Sequence, residues 1–214
     1  MNDMALQNLT VEGFVRELAS DSPAPGGGSV AALCGSLGAG LSAMVARLTL
    51  GKEKYREHWD AMEALQAEGD QLLARFLSLM EEDTESFNAF MAARKLPKET
   101  EGQKAARAQA IQEASKKTAL VPLETLKACS DLVRLAGQAV AHGNPNAVTD
   151  AGTAALLAEA AGWGAAYNVS INLSGVEDQT FVARCRREVQ SALEEIGTRA
   201  REIREKLRKD LEMA

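Results

Sequence analysis

Apolar residues recur at helical spacing nearly from end to end of the chain, and no segment shows the strict alternation of a half-buried strand. Thr10 stands where it can cap a short first helix that turns Phe14, Val15 and Leu18 inward. The run Ser22-Pro23-Ala24-Pro25-Gly26-Gly27-Gly28 then breaks the pattern, because prolines and consecutive glycines do not continue a helix. Ser29 is placed to cap a second helix that reaches about Leu50 and stops at Gly51. From about Lys54 to Arg94 a long amphipathic helix carries the stripe Tyr55, Trp59, Met62, Leu65, Leu72, Phe76, Met80, Phe87 and Phe90. Leu96-Pro97 ends it, and a polar link through Gly102 leads into a helical stretch from about Gln103 to Ala141. That stretch is expected to kink or break near Pro122. The loop His142-Gly143-Asn144-Pro145-Asn146 follows, then a helix of small residues from about Asp150 to Leu173. After Gly175 a last helix sets Phe181, Cys185, Val189, Leu193, Ile196, Ile203, Leu207 and Leu211 on one side. The elements predict an all-α fold: one domain, residues 1–214, built as a bundle of long, nearly antiparallel helices.

Composition sharpens this picture. Hydrophobic residues make up 46% and support a large core, but aromatics are only 4%, so the core must close through small side chains. The net charge of −6 offers no basic footprint for a phosphate backbone, which argues against nucleic acid as a partner. Cys34, Cys129 and Cys185 are far apart, and with only His58 and His142 beside them they make no metal constellation. They are expected as core hydrophobes of a reducing compartment, and the absence of a basic-then-apolar leader points to the cytoplasm. Val30 to Ala46 carries no charge, yet its glycines and serines suit a buried helix better than a membrane span.

Three groups of residues invite chemistry. Gly26, Gly27 and Gly28 ahead of Ser29 leave backbone N–H groups open at a positive helix end, which is either an anion or ligand perch or simply a sharp turn. No Gly-Lys-Ser/Thr follows and no strand precedes, so this is not a P-loop. Asp83 falls on the apolar stripe between Met80 and Phe87. A carboxylate there must be paired or put to acid–base use, whereas Glu81, Glu82 and Glu85 read as a solvated face. Asp150 can cap its helix or share a site with Asn144 and Asn146, while Asn168 and Asn172 need partners on an otherwise apolar helix. His142 is a further general-base candidate. Basic residues gather at Lys52, Lys54 and Arg56, and again at Arg94, Lys95 and Lys98; surface solubility is the first explanation, and the grip of an anionic tail the alternative.

Read in order, Leu18-Ala19-Ser20, Pro23-Ala24-Pro25-Gly26-Gly27-Gly28-Ser29-Val30-Ala31-Ala32-Leu33, Met44-Val45, Leu48-Thr49, Gly51-Lys52 and Tyr55 resemble the opening of the formiminotetrahydrofolate cyclodeaminase/methenyltetrahydrofolate cyclohydrolase family. The similarity continues through Asp83, Ser86-Phe87, Lys95-Leu96-Pro97-Lys98, Val121-Pro122-Leu123, Gly143-Asn144, Asn146, Thr149-Asp150 and Asn168-Val169 to Ile171-Asn172-Leu173. It implies a homodimeric helical bundle with a folate site in a groove near the dimer interface. The reaction would be cyclisation of formiminotetrahydrofolate with loss of ammonia, or hydrolysis of 5,10-methenyltetrahydrofolate to the 10-formyl form. In that reading Asp83 and Asp150 are catalytic. Gly26, Gly27, Gly28, Ser29, Asn144, Asn146, Asn168 and Asn172 bind and orient substrate, and Lys52, Lys95 and Lys98 hold its glutamate tail, polyglutamylated or not. No cofactor or metal beyond the tetrahydrofolate substrate is implied. The length leaves no room for a fused formiminotransferase. The competing expectation is a helical dimer that binds folate or a partner without turnover.

Overall fold

The computed structural model describes residues 5–213. Six α-helices carry the fold: α1 (Val11–Leu18), α2 (Gly27–Thr49), α3 (Trp59–Arg94), α4 (Glu101–His142), α5 (Val148–Leu173) and α6 (Gln179–Asp210). Short 3₁₀ turns lie at Leu6–Asn8, Glu53–His58 and Pro145–Ala147, and the described residues contain no strand. The all-α expectation holds.

Helix α2 is the axis, with α3, α4 and α5 packed around it and α6 laid against α4 and α5. Small residues let these backbones close. A Cβ added to Gly69 of α3 would meet Ala43 Cβ of α2 at 3.1 Å, and one on Gly164 of α5 would meet Ala31 Cβ at 3.3 Å. Gly35 lies under the Phe76 ring, whose Cδ1 would be 2.5 Å from an added Cβ. These pairings fix direction: α3 and α5 both run antiparallel to α2. Gly27–Thr49 is long and apolar enough to cross a membrane, but most of its apolar stretch is buried inside the bundle.

Several local expectations are corrected. Phe14 is buried, but Val15 is 55% exposed and Leu18 also faces outward, because α1 touches the bundle along one narrow edge. Helix α2 begins at Gly27 with Gly26 as its N-cap, so Ser29 lies inside the first turn and does not cap. Helix α3 starts at Trp59, after the 3₁₀ turn. Helix α5 starts at Val148, and its N-cap, Ala147, supplies no side-chain bond; neither Thr149 nor Asp150 caps it. Leu211 lies beyond α6 and is exposed. The three cysteines are free, Cys129 and Cys185 buried and Cys34 half-buried.

Pro122 does not break α4, which runs through it. Having no N–H, Pro122 leaves the Thr118 carbonyl without its helical donor. The Asn172 amide of α5 supplies the missing bond, donating from Nδ2 to Thr118 O at 2.7 Å. Asn172→Ala should therefore destabilise the fold by about 1–3 kcal/mol, the cost of an unpaired buried carbonyl. In a Pro122→Ala background, where the residue 122 N–H returns, most of that loss should vanish. Urea unfolding of the two single variants and the double variant measures the coupling.

Candidate active site

The turn before α2 delivers its glycines onto α3. A Cβ on Gly28 would sit only 2.6 Å from Asp83 Cγ and 2.7 Å from Oδ2, so a side chain there would force the Asp83 carboxylate to move. Ser29 Oγ donates to Asp83 Oδ2 at 2.9 Å and lies 3.3 Å from Thr84 Oγ1. The open N–H groups anticipated for a ligand are thus met first by the protein's own carboxylate, seated at the positive end of α2. Burial pushes the Asp83 carboxyl above the usual carboxylate range, and hydrogen bonds from the Ser29 hydroxyl and backbone N–H pull against that rise.

Helix α5 closes the third side. A Cβ on Gly27 would meet Asn168 Nδ2 at 3.2 Å. That amide donates to Gly164 O at 2.8 Å, one turn back along its own helix. Gly27 itself is exposed, and Gly26 has nothing within 4 Å of an added Cβ. Gly26 to Ser29, Asp83 and Asn168 therefore converge, with Asn172 one turn beyond. Lys95 and Lys98 are exposed past the end of α3 on this side, about 18 Å along the helix from Asp83.

The remaining candidates lie at the other end of the bundle. Asp150, half-buried in the first turn of α5, shares a helical face with Asn168 but is about five turns, roughly 27 Å, away. Asn146 and Lys52 are exposed near it, as is His142, whose ring centroid is 5.0 Å from that of His58. Asn144 is buried and committed internally. Its Oδ1 accepts from Tyr55 Oη at 2.9 Å and from the Asn146 N–H at 3.1 Å, while Nδ2 donates to Leu48 O at 3.1 Å. Its backbone N–H donates to Thr49 Oγ1 at 2.8 Å, so Asn144 clamps the α4–α5 loop to the end of α2. One protomer does not bring Asp83 and Asp150 together. Glu81 and Glu82 are partly covered, receiving the Gln7 N–H and the Arg75 guanidinium, and Glu85 is exposed. No set of three or more His, Cys, Asp or Glu suited to a metal occurs among the described residues.

Sequence reasoning missed Thr84, which adjoins Asp83 but looks like an ordinary helical threonine, and Tyr55, which it placed in the core stripe and which instead anchors Asn144. It also missed an outward apolar row on α5. Leu156 and Trp163 are half exposed, Tyr167 is 66% and Ile171 67% exposed, and Leu37 and Leu48 of α2 add to the apolar surface. Spacings of four and seven on a helix otherwise made of small residues were the available signal.

A family model described as formiminotransferase-cyclodeaminase matches residues 10–191. The chain belongs to that family. It is 40% identical over 190 residues to a methenyltetrahydrofolate cyclohydrolase of Methylorubrum extorquens, covering 89% of this chain and 91% of that protein. It is 36% identical over 206 residues to the formimidoyltransferase-cyclodeaminase of Sus scrofa, covering 96% of this chain and 38% of that larger protein. The fold matches the crystal structure of a formiminotetrahydrofolate cyclodeaminase from Thermotoga maritima with a TM-score of 0.87 and 27% identity, over 96% of this chain and 99% of that one.

The contact between Gly28 and Asp83 generates a test within this family member. Gly28→Ala should destabilise the fold by about 1–3 kcal/mol, the scale of overpacking, whereas Gly26→Ala should be tolerated. Combining Gly28→Ala with Asp83→Ala should recover most of the loss, read from thermal unfolding.

Proposed function

We propose that this protein is an enzyme acting on the one-carbon bridge between N5 and N10 of tetrahydrofolate, with hydrolysis of the 5,10-methenyl form as its leading reaction. The observation that carries the proposal is the Asp83 carboxylate, raised in proton affinity by burial and held between the α2 glycine turn and Asn168. As the base, Asp83 takes a proton from water as the oxygen bonds to the methenyl carbon. The hydroxyl proton of the resulting tetrahedral carbon ends on N5 when the C–N5 bond breaks, leaving the formyl group on N10. One proton is released overall. A carboxylate beside a cationic carbon also stabilises it by charge. The substrate carries its own one-carbon unit, and these steps call only on proton transfer.

A second reading, cyclodeamination, is favoured by the likeness to the Thermotoga maritima structure. The same carboxyl would then donate a proton to departing ammonia. The 40% identity to a cyclohydrolase over nearly its whole length puts hydrolysis first.

The working unit is proposed to be a homodimer, placed in the cytoplasm. Helices α2 and α5 are antiparallel, with Gly27 opposite Asn168 and Gly38 opposite Leu157. A two-fold axis near Leu37 and the middle of α5 would bury the apolar surface of Leu37, Leu156, Trp163 and Tyr167 against its copy. It would also set the Asp83 end of one protomer over the Asp150 end of its partner. Asn168 and Asn146 would then face the pterin, with Lys52, Lys95 and Lys98 toward the glutamate tail.

Asp83→Asn should leave the protein folded and able to bind folate while turnover falls by about 10²-fold or more, followed as loss of methenyltetrahydrofolate absorbance. Near-normal turnover would move the proton transfer elsewhere, to His142 first. Mixing inactive Asp83→Asn with inactive Asp150→Asn, after subunit exchange, should restore about one quarter of wild-type activity, because mixed dimers of a composite site regenerate one intact site. No recovery between two folded, exchanging variants would overturn the shared site.

A further inference from the structure

Helix α2 contains four hydroxyl side chains that are fully or nearly fully buried, and they do not behave alike. Ser36, Ser42 and Thr49 each turn back on their own helix, donating to Leu33 O at 2.8 Å, Gly38 O at 3.0 Å and Val45 O at 2.7 Å. That is the ordinary resting place of a buried helical hydroxyl. Ser29 is as completely buried as any of them and departs from the pattern, crossing to α3 to bond Asp83 Oδ2 at 2.9 Å. Nor is Ser29 used as a cap, since Gly26 occupies that position.

We infer that Ser29 is the positioning residue for Asp83, its hydroxyl holding the carboxylate in one orientation across the α2–α3 contact. The inference rests on the reading of Asp83 as the proton-transferring group. Two features make the hold specific. The hydroxyl comes from a rigid helical turn and not from a loop, and it is itself within 3.3 Å of Thr84 Oγ1, so it can accept from Thr84 while it donates to Asp83. Gly28, the residue before it, clears the space into which the carboxylate is drawn. A donor fixed on one oxygen favours the ionised form and opposes the rise that burial imposes.

The test follows the Asp83 carboxyl directly, by ¹³C NMR titration of aspartate-labelled protein, with the resonance assigned by its loss in Asp83→Asn. In Ser29→Ala the Asp83 midpoint should move to higher pH by roughly 0.5–1 unit, the scale of one lost hydrogen bond to a carboxylate. Ser29→Thr, which keeps the hydroxyl, should bring it back. At the optimum pH, kcat should fall about tenfold in Ser29→Ala with KM little changed. An unmoved midpoint in folded Ser29→Ala would overturn the inference. If that variant fails to fold, Ser29→Cys fills the same space with a weak donor and is held to the same outcome. A midpoint that moves while the matching limb of the pH–rate profile stays put would uphold Ser29 as the anchor and remove Asp83 from proton transfer.

Discussion

The backbone of α2 passes its neighbours at distances that only hydrogen atoms, methyls and hydroxyls can fill. Gly28, Gly35 and Gly38 face Asp83, Phe76 and Leu132, and Gly69 of α3 faces Ala43. At Gly35 and Gly38 the close approach brings large side chains from the outer helices right over the central axis, which helps a chain so poor in aromatics close its interior. The bundle's geometry and its chemistry both follow from this. A helix that admits a phenylalanine ring at Gly35 admits, two turns earlier at Gly28, a carboxylate.

That carboxylate is costly where it stands. Removed from much of its water, it is compensated by a hydroxyl, a backbone N–H and the positive end of α2, all delivered by one short stretch of chain. On the proposed reading, this arrangement suits a group that moves protons. A carboxylate paired with lysine or arginine would be locked in its ionised form; among the described residues Asp83 has no such partner, and burial holds its carboxyl above the usual carboxylate range. The same occupancy gives the site a negative character, which suits the cationic carbon of the proposed methenyl substrate.

Much of the architecture was legible in the sequence because helical periodicity is a local signal. The long stripe of α3, the stop at Gly51 and the single long run of α6 needed no knowledge of neighbours. Asp83 was legible for the same reason, as a charge on an apolar stripe. What escaped were outcomes decided by tertiary contact. Ser29 looks like a cap until α3 is seen beside it. Pro122 looks like a break until Asn172 is placed opposite, and Asn144 looks like a ligand for substrate until Tyr55, Leu48 and Thr49 surround it. The distance between Asp83 and Asp150 was hidden most deeply, because a linear chain does not announce that two loops lie at opposite ends of a bundle.

The bond from Asn172 to the Thr118 carbonyl also bears on how such a sequence can drift. Pro122 alone is a defect in α4, and Asn172 alone is a polar burden on an apolar helix; together each supplies the reason for the other. Two positions fifty residues apart in the chain thereby form one heritable unit. Loss of the asparagine leaves a lineage with an orphaned carbonyl, whereas loss of the proline leaves the asparagine without its duty and free to vary. The order of the two losses is therefore not symmetric, and the proline is the member expected to go first.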